Sequence, residues 1–380
     1  MRRALSIPVA LLVAAACVQA QASALTRFAH ADKSINVSVV ARFPYKGGDG
    51  FWAGSDLDFS GRFAYGGHLG GGGGVHIYDV RGEPREVGFI ACPGTQNDVA
   101  VVRPGLLALG FHTSRCARKK AGIQLIDVRN PRRPKLLGAV GIPGGTHTLT
   151  VYPGRALIYS SPGGEGDPET IIDARDPRNP KVVGRFDPGP TVGCHDVAFH
   201  FEGDNKLGFC AGENATQVWD VSKPATPKVL SQITNPLIYF HHSVAATSDG
   251  NYLVVGDEAL GTAGGICNMS ANHPTGAVWV YDISDPQTPA LVSFYGLQRE
   301  DPALLCTAHN YNFIPGTRYL VAGWYLGGMN VLDLSDPANP VEVAHFRTDD
   351  SDYWSAYWYD GRIYASGGAG LDVLEVRGLR

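Results

Sequence analysis

Short runs of β-branched and aromatic residues recur along the chain, and each closes on an acidic residue. Val75-His76-Ile77-Tyr78-Asp79-Val80 is followed by Ile123-Gln124-Leu125-Ile126-Asp127-Val128, Thr170-Ile171-Ile172-Asp173-Ala174 and Gln217-Val218-Trp219-Asp220-Val221. Val278-Trp279-Val280-Tyr281-Asp282-Ile283, Asn330-Val331-Leu332-Asp333-Leu334 and Asp372-Val373-Leu374-Glu375-Val376 complete seven copies. The acidic positions are 48, 46, 47, 62, 51 and 42 residues apart. That composition and length predict strands, about four to each repeat. In five copies, prolines stand four and seven residues after the Asp, as at Pro131 and Pro134 or Pro337 and Pro340. An Asp carboxylate accepts backbone N–H groups in a turn, and the prolines stop the strand from running on. The six repeated Asp residues are therefore expected to form turns, not to catalyse. Two further strands precede each Asp run, as in Asp196–Phe199 and Leu207–Phe209 around the turn Glu202-Gly203-Asp204-Asn205.

Four strands per repeat and seven repeats predict an all-β fold, a seven-bladed β-propeller. The last copy has no outer strand after it, whereas Val39-Val40-Ala41-Arg42-Phe43 near the N-terminus matches Val182-Val183-Gly184-Arg185-Phe186. The N-terminal strand is expected to complete the last blade and close the ring. The predicted organisation is a signal peptide over 1–24 and a single propeller domain over 25–380. Residues 1–24 carry a basic start (Arg2, Arg3), an apolar stretch from Ala4 to Ala16, and small-residue cleavage sites at Val18-Gln19-Ala20 and Ala22-Ser23-Ala24. A twin-arginine signal, or lipid attachment at Cys17, are the alternatives; the second lacks the usual Leu.

The phrases Trp219-Asp220-Val221-Ser222-Lys223-Pro224 and Leu332-Asp333-Leu334-Ser335-Asp336-Pro337-Ala338-Asn339-Pro340 resemble the LVIVD repeat of secreted bacterial propellers. In the C-terminal third, Cys306-Thr307-Ala308-His309-Asn310, Trp324-Tyr325-Leu326-Gly327-Gly328 and Tyr353-Trp354-Ser355-Ala356-Tyr357-Trp358 resemble extracellular actinobacterial members. The resemblance implies the propeller fold and no reaction.

Composition narrows the partners. Loss of the signal removes two arginines and no acid, leaving 30 basic and 36 acidic residues, a charge of −6. Mild acidity argues against nucleic acid and anionic membranes. A small-molecule or extracellular ligand, a secreted or periplasmic location and a monomer are expected. No P-loop, nucleophile elbow or CxxC occurs, so no nucleotide cofactor is expected. Six cysteines remain after the signal, an even number for an oxidising compartment. Sequence-local pairing gives Cys92–Cys116, Cys194–Cys210 and Cys267–Cys306. Three glycosylation sequons, at Asn36, Asn214 and Asn268, would matter in a eukaryotic host.

Candidate chemistry sits where the innermost strand of each blade begins. That position holds Asn97 (or Asp98) in the second blade, then His147, His195, His242 (after His241) and His309 in the next four. Loops predicted on the same face carry His68, His112, Glu165, Glu213 and the pair Asp257-Glu258. Imidazole is the commonest metal ligand. His147, His195, His242 and His309 are thus candidate ligands of one transition-metal ion, with Zn, Cu, Fe and Mn undistinguished. Asp257 and Glu258 are candidate extra ligands or catalytic bases. Such a site suits a ligand-binding propeller or a metal-dependent oxidoreductase or lyase, while a protein-interaction platform would need no pocket chemistry. The competing reading makes the histidines strand caps bonded to backbone. The long fifth repeat follows Asp257-Glu258, and its Cys267, bonded to Cys306, would hold a loop over the site. Trp324, Tyr325, Tyr353, Trp354, Tyr357 and Trp358 are expected mainly in the core.

Overall fold

A computed structural model describes residues 32–45, 53–69, 73–92, 97–112, 116, 121–162, 168–189, 192–260, 267, 274–299 and 304–379. The proposed signal peptide and the loop around Cys267 lie outside these residues. Every regular element among them is a β-strand. Repeats one to five each form one four-stranded antiparallel sheet, such as Asp196–Glu202, Asn205–Gly212, Ala215–Asp220 and Lys228–Ile233 in the fourth. Repeats six and seven share a nine-stranded sheet, because their first strands, Asn310–Phe313 and Tyr353–Tyr359, pair in parallel. The N-terminal strand Val37–Pro44 pairs with Gly370–Val376 as the outermost strand of repeat seven.

The repeated Asp makes the expected turn. Asp127 Oδ1 accepts the N–H of Arg129 at 3.0 Å, and Asp220, Asp282 and Asp333 bond Ser222, Ser284 and Ser335 in the same way at 2.8, 2.9 and 2.8 Å. The outer strand that follows is bulged at one constant place. The extra residue is Val87, Leu137, Val183, Leu230, Val292 and Val343 in turn. Val40 is the extra residue of the N-terminal strand, so this strand repeats the outer-strand pattern in detail.

The residue after the bulge receives the proline turn of the next repeat. A Cβ on Gly88 would lie 1.9 Å from the Pro131 carbonyl oxygen, and one on Gly138 2.5 Å from that of Pro177. At the same position Ser231 and Ser293 instead donate hydrogen bonds to Pro286 and Pro337 carbonyls, both at 2.6 Å. Close approach without a side chain, or a hydroxyl that reaches the carbonyl, are two solutions to one contact.

Apolar cores lie between neighbouring sheets. Tyr65, Val75 and Ile77 of repeat one pack with Val99, Leu107 and Phe111 of repeat two, and Leu57 and Tyr78 of repeat one pack with Tyr364 and Val373 of repeat seven. Burying one Phe such as Phe111 or Phe209, both fully enclosed, contributes about 1.5–3 kcal/mol. The first strands stand side by side in chain order, and Tyr353–Tyr359 packs on both Asn310–Phe313 and Gly54–Ser60. Hydroxyls stitch them: Ser55 to the Asn97 carbonyl (2.9 Å), Thr148 to His195 (2.5 Å), Ser243 to His309 (2.6 Å) and Ser355 to Ser55 (3.0 Å). Disulfides join Cys92–Cys116, Cys194–Cys210 and Cys267–Cys306, as the local pairing predicted. With sequence separations of 24, 16 and 39, each contributes about 3–4 kcal/mol in the chain-entropy picture.

The turn contact has a direct test. Gly88→Ala should lower stability by about 1–3 kcal/mol through overpacking against Pro131. Gly88 is not in the left-handed region, so the loss reads the clash and not the backbone, and wild type is the reference. Urea midpoints of Gly88→Ala and wild type check this; equal midpoints would contradict the contact.

Candidate metal centre

The first strands of repeats three to seven bring one residue each to a common arc. Ring centroids run His147 to His195 at 4.1 Å, His195 to His242 at 4.1 Å, His242 to His309 at 4.0 Å and His309 to Trp354 at 4.1 Å. His112, from the second-repeat loop, extends the arc with its ring 4.9 Å from His147. His195, His242 and His309 are buried, and His147 is half-buried. Two members are aimed by bulges. His242 is the extra residue between His241, opposite Asp257, and Ser243, opposite Gly256; Trp354 occupies the same kind of bulge in repeat seven.

The loops that back the arc are tied across repeats. Glu213 and Tyr325 both adopt left-handed backbone, with φ of 57° and 46°. Each exchanges two backbone hydrogen bonds with the residue just before an arc position. Glu213 pairs with His241 at 3.0 and 2.7 Å, and Tyr325 with Tyr353 at 3.1 Å both ways. Non-glycine residues in that conformation are costly and persist where surrounding contacts enforce them.

Glu258 faces the rings. Its Oε2 lies 3.4 Å from His242 Nε2 and its Oε1 3.4 Å from His309 Nε2, while the Tyr325 hydroxyl donates to Oε1 at 2.5 Å. One ligand atom each from His195, His242 and Glu258 lies within 4.8 Å of the other two. Asp257, one residue earlier, turns the other way. Its carboxylate accepts the N–H groups of Tyr239 and Phe240 at 2.9 Å and of Gly276 at 2.8 Å, a bracing role for the loop. Burial raises its pKa to about 6 despite those bonds.

All four imidazoles are held neutral. Burial, and then the neighbouring imidazoles, push His147, His195 and His242 well below the usual range, and burial takes His309 to about 3. His309 Nδ1 donates to the Trp354 carbonyl at 2.7 Å, which fixes the tautomer and leaves Nε2 bare. That Nε2 is buried with no hydrogen-bond partner, as are Nδ1 of His195 and of His242. Neutral imidazoles grouped with one carboxylate, the bare His309 Nε2 beside it, form a donor set suited to Zn, Cu, Fe or Mn.

The other candidates have different places. His68 pairs with His76, at 3.1 Å between Nε2 atoms, and His241 Nδ1 meets Thr216 Oγ1 at 2.9 Å. Glu165 and the residues flanking Cys267 lie outside the described residues, so the proposed lid does too. Of the six aromatic candidates, Tyr325 and Trp354 touch the arc. Trp324 is core, Tyr353 donates to Asp372 at 2.5 Å, Tyr357 lies against Asp56, and Trp358 packs on the cluster of repeats six and seven. Tyr325 carried no signal in the sequence beyond its aromatic neighbourhood.

Residues 320–348 match the LVIVD repeat. The matched segment spans the end of repeat six, from the strand Tyr319–Gly323 through the proline turn to Val341–Arg347. LVIVD repeats are associated with β-propeller proteins, and the all-β array of four-stranded sheets agrees with that. No curated protein matches the chain.

His147 is braced by a buried carboxyl group. Its N–H donates to the Ser161 carbonyl at 2.7 Å, and the Ser161 hydroxyl donates to Glu169. Burial raises the Glu169 pKa to about 8. A raised carboxyl pKa means that the native chain holds a proton which the unfolded chain releases above about 4.5. The stability from Glu169 is therefore full below that pH and lost as pH rises toward 8, by about 1.4 kcal/mol per pH unit. Glu169→Gln should remove this dependence. Its stability relative to wild type should improve from pH 5 to pH 8 in denaturant titrations, and a constant difference would exclude the role.

Proposed function

We propose that this chain is a secreted or periplasmic seven-bladed β-propeller that binds a ligand at the mouth of its central channel, with one transition-metal ion in the arc. His195, His242 and Glu258 supply the central donors in this reading, flanked by His309 and His147. One observation carries it: the bare Nε2 of His309 lies 3.4 Å from the Glu258 carboxylate. Two electron-rich groups so placed repel each other unless a cation lies between them. The Tyr325 hydroxyl orients the carboxylate, as outer groups around metal ligands do.

A second reading, a metal-dependent oxidoreductase or lyase, draws on the same Tyr325–Glu258 pair, which provides an acid and a base beside the proposed ion. The three disulfides fit an oxidising compartment. Among the described residues, no helix is long and apolar enough to cross a membrane. Residues 25–380 form one monomeric domain in this reading, preceded by a signal over 1–24. The shared bulge of the N-terminal strand supports closure of the ring through repeat seven.

Elemental analysis of protein purified without a polyhistidine tag tests the metal. At least one equivalent of a transition metal is expected, with one equivalent lost in His242→Ala. Metal-free wild type that takes up none on titration would overturn the reading. At a metal concentration 100 times Kd, the ion should stabilise the wild type by about 2.7 kcal/mol.

Closure has its own measurement. A chain lacking residues 32–44 should melt lower and aggregate through the exposed edge of Gly370–Val376. An unchanged melting temperature would count against closure by this strand.

A further inference from the structure

Repeat one holds a second pair of imidazoles that the arc does not use. His76 lies on the strand Gly74–Asp79 directly opposite Gly66, and His68 ends the partner strand Phe63–His68. They are diagonal cross-strand neighbours with no side chain between them, since Gly66 offers none. Their Nε2 atoms are 3.1 Å apart. On its far side, His76 Nδ1 lies 2.8 Å from Glu86 Oε1. Tyr45 packs on both rings, with centroids 4.7 and 4.9 Å away.

We propose that His68 and His76 are the protein ligands of a second transition-metal site, independent of the arc. Three features carry it. A carboxylate behind one imidazole fixes its tautomer: His76 Nδ1 holds the proton for Glu86, so Nε2 presents a lone pair toward His68. That is the carboxylate–histidine–metal arrangement in which the outer carboxylate orients the ligand and raises its basicity. Second, two nitrogens bound to one ion at about 2.0–2.1 Å, at tetrahedral to right-angled geometry, stand about 2.8–3.4 Å apart, and the observed separation of 3.1 Å falls in that range. Third, both rings are neutral. Burial lowers His68 to about 4, and it lowers His76 as well, against the opposing pull of Glu86. His68 is enclosed, while the His76 side chain is 12% exposed and gives the ion a route to solvent. Water or an external ligand fills the remaining positions. With two nitrogens and an outer carboxylate, Cu(II), Zn(II) or Ni(II) is the class of ion that fits.

The test uses the full-length mature chain carrying His195→Ala and His242→Ala, so that the arc does not compete. Titration with Cu(II) should give one equivalent bound, with an electron paramagnetic resonance signal showing hyperfine coupling to two nitrogens. His76→Asn in that background should abolish the signal, and Glu86→Gln should weaken binding about 10- to 100-fold. If the double variant fails to fold, the same His76→Asn change in the wild type should lower the total copper capacity by one equivalent and leave the arc's equivalent intact. Copper binding that is absent, or unchanged by His76→Asn, would overturn the proposal and leave His68–His76 a hydrogen-bonded pair. A failure of the arc to bind metal leaves this result unaffected, since neither ligand nor carboxylate is shared.

Discussion

Neighbouring sheets must bury their faces against each other, and the contact that sets how they meet is the proline turn of one repeat resting on the bulged outer strand of the one before. The turn delivers a carbonyl oxygen to a fixed point, whether from Pro131, Pro177, Pro286 or Pro337. The receiving position answers with a missing Cβ at Gly88 and Gly138 or a hydroxyl at Ser231 and Ser293. A bulge at a constant place keeps that position in line, because one extra residue shifts the alternation of every side chain beyond it. Once neighbouring sheets are set in this way, equivalent residues on successive first strands fall at equivalent places around a common centre. The convergence of His147, His195, His242 and His309 is then a consequence of the periphery.

Much of this was legible in the chain because the repeat spells out turn chemistry. Asp at the strand end, proline four and seven residues on, and a matching N-terminal strand determine local geometry whatever the tertiary context. Disulfide pairing was legible for a similar reason, since each pair closes a short loop. Arc membership of the four histidines followed from their shared repeat position. What aimed them did not follow. His242 reaches the arc as the extra residue of a bulge, and strict alternation from His241 or Ser243 would not have placed it. Asp257 and Glu258 looked interchangeable in the sequence, yet consecutive residues leave a strand on opposite sides. Three backbone N–H groups claim the first, and the second is left to face the imidazoles. Tyr325 was hidden more deeply, because its reach to Glu258 depends on a left-handed residue pinned to Tyr353 of the next repeat.

The electrostatics of the arc reverse those of the surface around it. Outer turns carry charge openly: Arg129 and Arg175 lie over Asp127 and Asp173, where solvent screens the pairs and they contribute little. At the arc, burial holds the imidazoles neutral, so that lone pairs and the Glu258 carboxylate face one another. Trp354 supplies both a ring face at one end of the arc and the carbonyl that fixes the His309 tautomer.

Adjacent residues on the first strands divide the labour between them. At three arc positions the next residue has a side chain that crosses to the next repeat: Thr148 after His147, Ser243 after His242, Ser355 after Trp354. Architecture is carried by the second of each pair, and chemistry is left to the first. A substitution at His147, His242 or Trp354 therefore leaves in place the neighbouring hydroxyl that fastens one first strand to the next, whereas in repeat one Ser55 itself donates to the Asn97 carbonyl. In such a fold the side chains at a single register can be exchanged by point changes while hydroxyls beside them keep neighbouring first strands joined.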